Sequence, residues 1–99
     1  MAAVVILKLE HGWAGDRNRN RVIYTAASAT TDSLTPEAAG LSQIDAVVPT
    51  GRSGTLDGIT VAAAGAVSYN PGTDVLISYI PTSTTAASSG NYEVYVYGR

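Results

Sequence analysis

The sequence predicts an all-β fold, an antiparallel β-sandwich or small jelly roll, that forms a single domain over residues 1–99. Small and β-branched residues dominate the composition, which suits close-packed strands. Short apolar stretches recur with turn signals at about 8–12-residue spacing, as in sandwiches. Because a sheet of a 99-residue chain buries a limited core, two packed layers or help from neighbouring subunits are expected.

The expected strands are β-branched or alternate in polarity, and comprise residues 3–10, 21–27, 43–48, 59–64, 66–69, 74–80 and 91–97. The first strand is apolar at its start, which predicts cover on both faces there. Residues 11–20 are rich in Gly, Asp and Asn and are expected to form a loop. The second strand, residues 21–27, is then expected to run antiparallel to the first.

A short helical turn is predicted near residues 35–39. Thr35 can cap the free amides, Pro36 suits the first helical position, and Gly40 suits a left-handed exit. Residues 43–48 then alternate, so Ile44, Ala46 and Val48 are expected on one side of a strand that ends at Pro49.

The later part of the chain is expected to be built around turns. Residues 51–54 are a Gly-containing loop, and Gly65 is expected to break the strand before it. Asn-Pro-Gly-Thr at residues 70–73 predicts a hairpin with a type II turn. Residues 81–90 contain mostly Ser, Thr and Ala and are expected to be an exposed loop. In the last strand, residues 92, 94 and 96 face one side and residues 93, 95 and 97 the other.

Composition and charge exclude several functions. Six Lys and Arg residues against eight Asp and Glu give a net charge of -2, which does not favour general nucleic-acid or membrane-surface binding. The absence of cysteine excludes disulfides and thiolate chemistry. The apolar run over residues 2–7 is too short for a membrane span and has no basic residue before it, so no targeting segment is predicted.

No catalytic, metal or cofactor site is predicted. His11 is the only histidine, so a small hydrolase would have to use it as the catalytic base. The sequence contains no nucleophile elbow that would supply the serine. Residues 16–20 match the start of a calcium loop, but Arg21 replaces the required glycine and neighbouring arginines repel a divalent cation. Carboxylates are scattered singly along the chain.

Seven residues are candidates for an interface: Trp13, Arg17, Arg19, Arg21, Tyr92, Tyr95 and Tyr97. Alternation places the three arginines on one side of an extended segment, where guanidinium groups could pair with carboxylates of a protein partner or form a solvated edge. Trp13 could cap the end of the core or act as an interface anchor. Together with the three tyrosines it could also form a sugar-stacking platform, which would make the protein a glycan-binding module.

Three stretches resemble small structural proteins of tailed bacteriophages: residues 8–17 leading to 21–24, residues 32–47 with their Leu-Thr-Pro turn, and residues 92–99. The resemblance implies a capsid decoration (cement) protein on the outer surface of the virion head. The implied partner is the major capsid protein, and the implied form is a homo-oligomer, commonly a trimer. The residues themselves predict no enzyme activity, nucleic-acid partner, membrane partner or cofactor. A tail or head-completion protein is the alternative within the same class.

Overall fold

The computed structural model describes residues 2–26, 32–62, 66–79 and 90–99. Within these ranges the protein is all-β. The strands, in chain order, are β1 (Ala2–Ala3), β2 (Val5–Glu10), β3 (Trp13–Ala14), β4 (Arg17–Ala26), β5 (Asp32–Ser33), β6 (Ile44–Pro49), β7 (Gly54–Leu56), β8 (Ile59–Val61), β9 (Ala66–Asn70), β10 (Val75–Tyr79) and β11 (Gly90–Gly98). Across the described ranges, no helix is long and apolar enough to span a lipid bilayer.

Two sheets enclose the core. One has the strand order β1-β5-β10-β9, and the larger has the order β2-β4-β11-β6 with β3 added to β4. All their pairings are antiparallel except that of β1 with β5. The buried cluster takes side chains from both sheets. The predicted β-sandwich is therefore confirmed. A third pair, β7-β8, lies outside this sandwich.

The centre of the larger sheet is the long pairing of β4 with β11. Its inner side chains have almost no exposed surface, as at Val22, Val94 and Val96. Tyr24 and Tyr92 continue this inner row with ring centroids 6.0 Å apart. Tyr95 and Tyr97 alternate to the opposite side, as predicted from the period of two. We call that opposite side the outer face.

The predicted loop over residues 11–20 is wrong, because this segment forms a hairpin. Trp13 pairs with Asn18 and Ala14 pairs with Arg17, so β4 begins well before the expected start. The turn between them contains Gly15 at φ 68°, and a glycine at the first central position suits a two-residue hairpin turn. The polar start of β4 is a strand because it pairs with β11 along its length.

The prediction that the first strand is covered on both faces is also wrong. Val4 separates β1 from β2, and β2 is an edge of the larger sheet. Val5 is 57% exposed and Leu7 is 39% exposed. The register shifts between Ile6 and Lys8, and a bulge of this kind disturbs an edge that could otherwise pair with another chain.

The predicted turn after Leu34 forms as one hydrogen-bonded turn. The Thr35 Oγ1 accepts the amide of Ala38 at 3.2 Å. At the other end, the amides of Gly40 and Leu41 bond back to carbonyls earlier in the turn, and Gly40 has φ 76°. This is the pattern of a Schellman ending. Buried Asn20 fixes the turn to the sandwich by donating its side-chain amide to the Ala39 carbonyl at 2.8 Å.

The predicted alternation in β6 is wrong because the strand contains a bulge. The register of β6 against β11 shifts where Gly98 pairs with Ile44. As a result Ile44 and Val47 both belong to the core, while Ala46 and Val48 face outward. Gly98 permits this close crossing, because a Cβ there would lie 2.0 Å from a backbone oxygen of Gln43.

The hairpin of β9 and β10 is confirmed, but its predicted type II turn is not. The left-handed residue is Asp74 at φ 60°, whereas Gly72 lies outside the positive-φ region. The Asp74 amide donates to the Asn70 carbonyl at 2.7 Å. The predicted end of one strand at residues 63–65 and most of the predicted loop 81–90 lie outside the described residues, as does residue 27.

Candidate functional site

The outer face of the larger sheet carries most of the polar and aromatic side chains that the sequence singles out. It divides into two parts along β4 and β11. One part lies under the hairpin of β7 and β8, which contacts β11. The other part is open. The two parts differ in chemistry, since the covered part holds a network of ionised groups and the open part holds aromatic and small apolar groups around Arg19.

The β7-β8 hairpin was not predicted as such. Its turn is Asp57-Gly58, with φ values of 53° and 80°, and two positive φ values are typical of a type I′ turn. An Asp-Gly pair between short β-branched runs is the signal that could have found it. The hairpin is joined to the sheet by two hydrogen bonds with Asn91. The backbone oxygen of Asn91 accepts a bond from the Ala62 amide at 2.9 Å, and the side-chain amide of Asn91 donates to the Thr60 carbonyl at 3.1 Å.

Beneath the hairpin lies a group of ionised side chains that we call the charge cluster, consisting of Glu10, Arg21, Arg52, Asp57 and Glu93. Its centre is Glu93, whose side chain has no exposed surface. The Nε and Nη2 groups of Arg52 donate to the two oxygens of Glu93 at 2.7 and 2.6 Å. Arg21 Nε donates to the same carboxylate, and Thr50 Oγ1 donates at 2.5 Å. Such charge-assisted bonds compensate for the loss of hydration.

These contacts determine the charge state of Glu93. Burial alone would raise the pKa of this carboxyl, but the hydrogen bonds from Arg52, Thr50 and Arg21 outweigh it and lower the pKa to about 2. The carboxylate is therefore ionised at neutral pH, and it can hold two cations at once.

Arg21 links the cluster to three separate elements. It donates to Glu93 on β11, to Glu10 on β2, and to Asp57 at the hairpin tip, the last at 2.7 Å. Burial lowers the pKa of Arg21, but these three carboxylates raise it by more. The bond from Arg21 lowers the pKa of Asp57. The charge cluster therefore fastens the hairpin onto the sheet.

The open part of the outer face is a surface that we call the tyrosine patch, made of Arg19, Ala46, Val48, Tyr95 and Tyr97. These residues are neighbours in register, since Tyr97 pairs with Arg19 on one side and Ala46 on the other, and Tyr95 pairs with Val48. The Arg19 guanidinium carbon lies 4.8 Å from the centre of the Tyr95 ring, within the range of a cation–π contact. Val48 is 45% exposed.

The three candidate arginines lie on one side of β4, as the alternation predicts, but their surroundings differ. Arg21 is engaged within the charge cluster and its side chain is only 14% exposed. Arg17 lies 3.3 Å from a carboxylate oxygen of Asp45. Arg19 is exposed, and no carboxylate in the described ranges forms an ion pair with it.

The aromatic candidates do not assemble into one platform. Tyr92 is 5% exposed and belongs to the core. Trp13 is 73% exposed, but its register partner Asn18 lies on the inner side of β4, opposite to Tyr95 and Tyr97. Trp13 therefore does not cap the core, and it is separated by the sheet from the tyrosine patch.

The remaining candidates from the sequence are also placed. His11 lies beside Gly40, where a Cβ on the glycine would be 2.9 Å from the imidazole. The calcium-like segment belongs to the β3-β4 hairpin, in which Asp16 is at the turn and Asn20 is bonded to the turn after Leu34. Among the described residues there is no group of three or more His, Cys, Asp or Glu that could hold a metal ion.

Comparisons with known proteins do not assign a family. No family model, no curated protein and no solved structure matches the chain.

Proposed function

We propose that this protein is a capsid decoration protein of a tailed bacteriophage, which binds the outside of the major capsid protein lattice and stabilises the head. The observation that carries the proposal is the resemblance of residues 8–17 with 21–24, residues 32–47 and residues 92–99 to small phage structural proteins. These stretches include the turn after Leu34 and parts of β4 and β11, the two strands at the centre of the larger sheet.

The tyrosine patch supports an adhesive role. Aromatic residues and arginine are enriched at the centres of protein interfaces, because they bury a large area and still form hydrogen bonds. Here they lie on two strands paired along their whole length, next to exposed Val48 and Ala46. A rigid surface loses little conformational entropy on binding.

The proposed mechanism is mass action. A protein that binds the assembled lattice but not its separated subunits stabilises the lattice by its binding free energy at each site. A lattice offers many equivalent sites, so modest affinity at each is sufficient, and a trimer would bind with the combined strength of its three copies. This mechanism requires no chemical step.

The test is co-sedimentation with expanded, empty heads of the phage that encodes the protein. We expect the protein to sediment with the heads to a fixed number of copies per head, and to raise the temperature at which the heads break. Separated capsid subunits are the control and should not bind. A protein that stays in the supernatant at every concentration, or that binds only to tails, would show that the proposal is wrong.

A further inference from the structure

We infer that the tyrosine patch binds a carboxylate of the partner protein, an Asp or Glu side chain flanked by apolar residues, through Arg19. The inference rests on the proposed function, because it names the surface and the partner chemistry of that same binding. It is carried by the contrast between Arg19 and the other arginines on its face.

Arg19 is held in place while its hydrogen-bond donors remain available. The guanidinium group lies over the Tyr95 ring at 4.8 Å. The guanidinium group has five N–H donors, and within the described ranges none of those of Arg19 contacts a carboxylate. These N–H groups match the two oxygens of a carboxylate in a bidentate pair.

The neighbouring cations have carboxylates within the chain. Arg17 is paired with Asp45, and Arg21 is paired with three carboxylates of the charge cluster. Arg19 lies between them on the same strand and has no such pair in the described part of the chain. An external acidic group is the complement that the patch lacks.

The surroundings of Arg19 indicate a protein rather than a nucleic acid. Ala46 is exposed and Val48 is 45% exposed, so the complement must carry apolar surface. A polyphosphate is bound by several cations in a row, whereas the adjacent cations here are already paired. One arginine within an apolar and aromatic patch suits one acidic side chain surrounded by apolar groups.

The experiment is co-sedimentation with expanded heads for four proteins: the wild type, Arg19→Ala, Arg19→Lys and Lys8→Ala. Lys8→Ala is the matched control, because it removes one positive charge from the same sheet on edge strand β2. We expect Arg19→Ala to weaken binding by about tenfold or more per site. Arg19→Lys should restore only part of the affinity, because lysine keeps the charge but lacks the planar fork. Lys8→Ala should bind like the wild type.

A second variant pair tests the role of the ring. Tyr95→Phe keeps a ring under Arg19 and should retain binding, whereas Tyr95→Leu should weaken it. Circular dichroism and the urea midpoint establish that both variants are folded. Tyr95 is partly buried, so its replacement can lower stability. Binding is therefore compared only at temperatures where the unfolding curves show that each variant is native.

The possible results separate the two proposals. If the wild type does not bind heads, the proposed function fails. If the wild type binds and Arg19→Ala binds as well as Lys8→Ala, the proposed function stands and the assignment of the tyrosine patch is overturned. If single-stranded DNA competes with heads for the wild type but not for Arg19→Ala, the patch binds phosphate and the acidic protein partner is wrong.

Discussion

Replacement of Glu93 by glutamine is the sharpest test of the reasoning about the charge cluster. Glutamine keeps the shape of the side chain but removes its negative charge. In the wild type the carboxylate accepts hydrogen bonds from Arg21, Arg52 and Thr50. The side-chain NH₂ group of glutamine is itself a hydrogen-bond donor, so it cannot accept the bonds that one carboxylate oxygen of Glu93 accepts. Part of the network must therefore break.

The magnitude follows from the exposure of the partners. Removing one member of a buried ion pair costs about 3–5 kcal/mol when the other is left buried without compensation. Here Arg52 is 50% exposed and can be hydrated, and Arg21 keeps two other carboxylates, Glu10 and Asp57. The loss should therefore lie at or below the lower end of that range, at about 2–3 kcal/mol. For a domain of this size this corresponds to a fall in Tm of roughly 10–20 °C.

The assay is urea unfolding followed by circular dichroism, with Glu10→Gln as the matched control. Glu10 bonds to the same arginine, but its side chain is 50% exposed, so its replacement should cost less than about 1 kcal/mol. The free energy of unfolding should thus fall much further for Glu93→Gln than for Glu10→Gln. Equal losses for the two variants would refute the view that burial of the carboxylate makes it important.

Three further predictions concern pH, a close backbone crossing and a buried amide. Because the pKa of Glu93 in the folded protein is lowered to about 2 from 4.5, its contribution is complete above about pH 5 and is lost as the pH falls through 2. The wild type should therefore lose stability in acid more steeply than Glu93→Gln in urea titrations. Gly98→Ala places a Cβ 2.0 Å from a backbone oxygen of Gln43, so thermal unfolding should show a loss of more than about 3 kcal/mol in the free energy of unfolding. Gly72→Ala is the control and should be nearly neutral, because its Cβ would meet only a side-chain oxygen of Asn70, at 3.3 Å. Asn20→Ala leaves a buried carbonyl without its 2.8 Å bond and should lower the free energy of unfolding by about 1–3 kcal/mol. The loss should be smaller for Asn18→Ala, which lies on the same strand but is only half-buried, if the cost comes from burial.

The fold class and the two faces of β11 could be predicted because a period of two is a local property of the sequence. Tyr92, Val94 and Val96 alternate with polar or amphipathic residues, and one buried face is enough to fix their direction. The same argument failed in β6. There a bulge beside Gly98 changes the phase, so that Ile44 and Val47 share the core, and a bulge depends on the partner strand rather than on the alternation.

The β3-β4 hairpin shows a second reason for failure. Arg-Asn-Arg-Asn at residues 17–20 has low intrinsic strand propensity, so the sequence favours a loop. Residues 18–20 nevertheless pair with residues 96–98 of β11, and residues 17–18 pair with β3. Tertiary pairing thus overrides local propensity. The inner side chain of Asn20 is buried, and its hydrogen bond to the Ala39 carbonyl attaches the turn after Leu34 to the sandwich.

The candidate site could be predicted only in part, because its partners are distant in the chain. The alternation of Arg17, Arg19 and Arg21 indicates a shared face, and that prediction is confirmed. Which arginine is neutralised depends on contacts across long separations, such as that of Arg21 with Glu93, 72 positions later in the chain. No local pattern contains that information.

These long-range contacts explain why the two parts of the outer face can have different roles. Burying a charge is costly unless it is paired, and the β7-β8 hairpin that covers the charge cluster also supplies one of its partners, Asp57. That cover fixes Arg21 and the adjacent length of β4, which pairs without interruption with β11. Arg19, Tyr95 and Tyr97 of the tyrosine patch lie on the continuation of the same two strands, and they are therefore held in position before any partner arrives. If the surface is preorganised in this way, Asp57→Ala, which removes the link at the hairpin tip, should weaken head binding less than Arg19→Ala but more than Lys8→Ala.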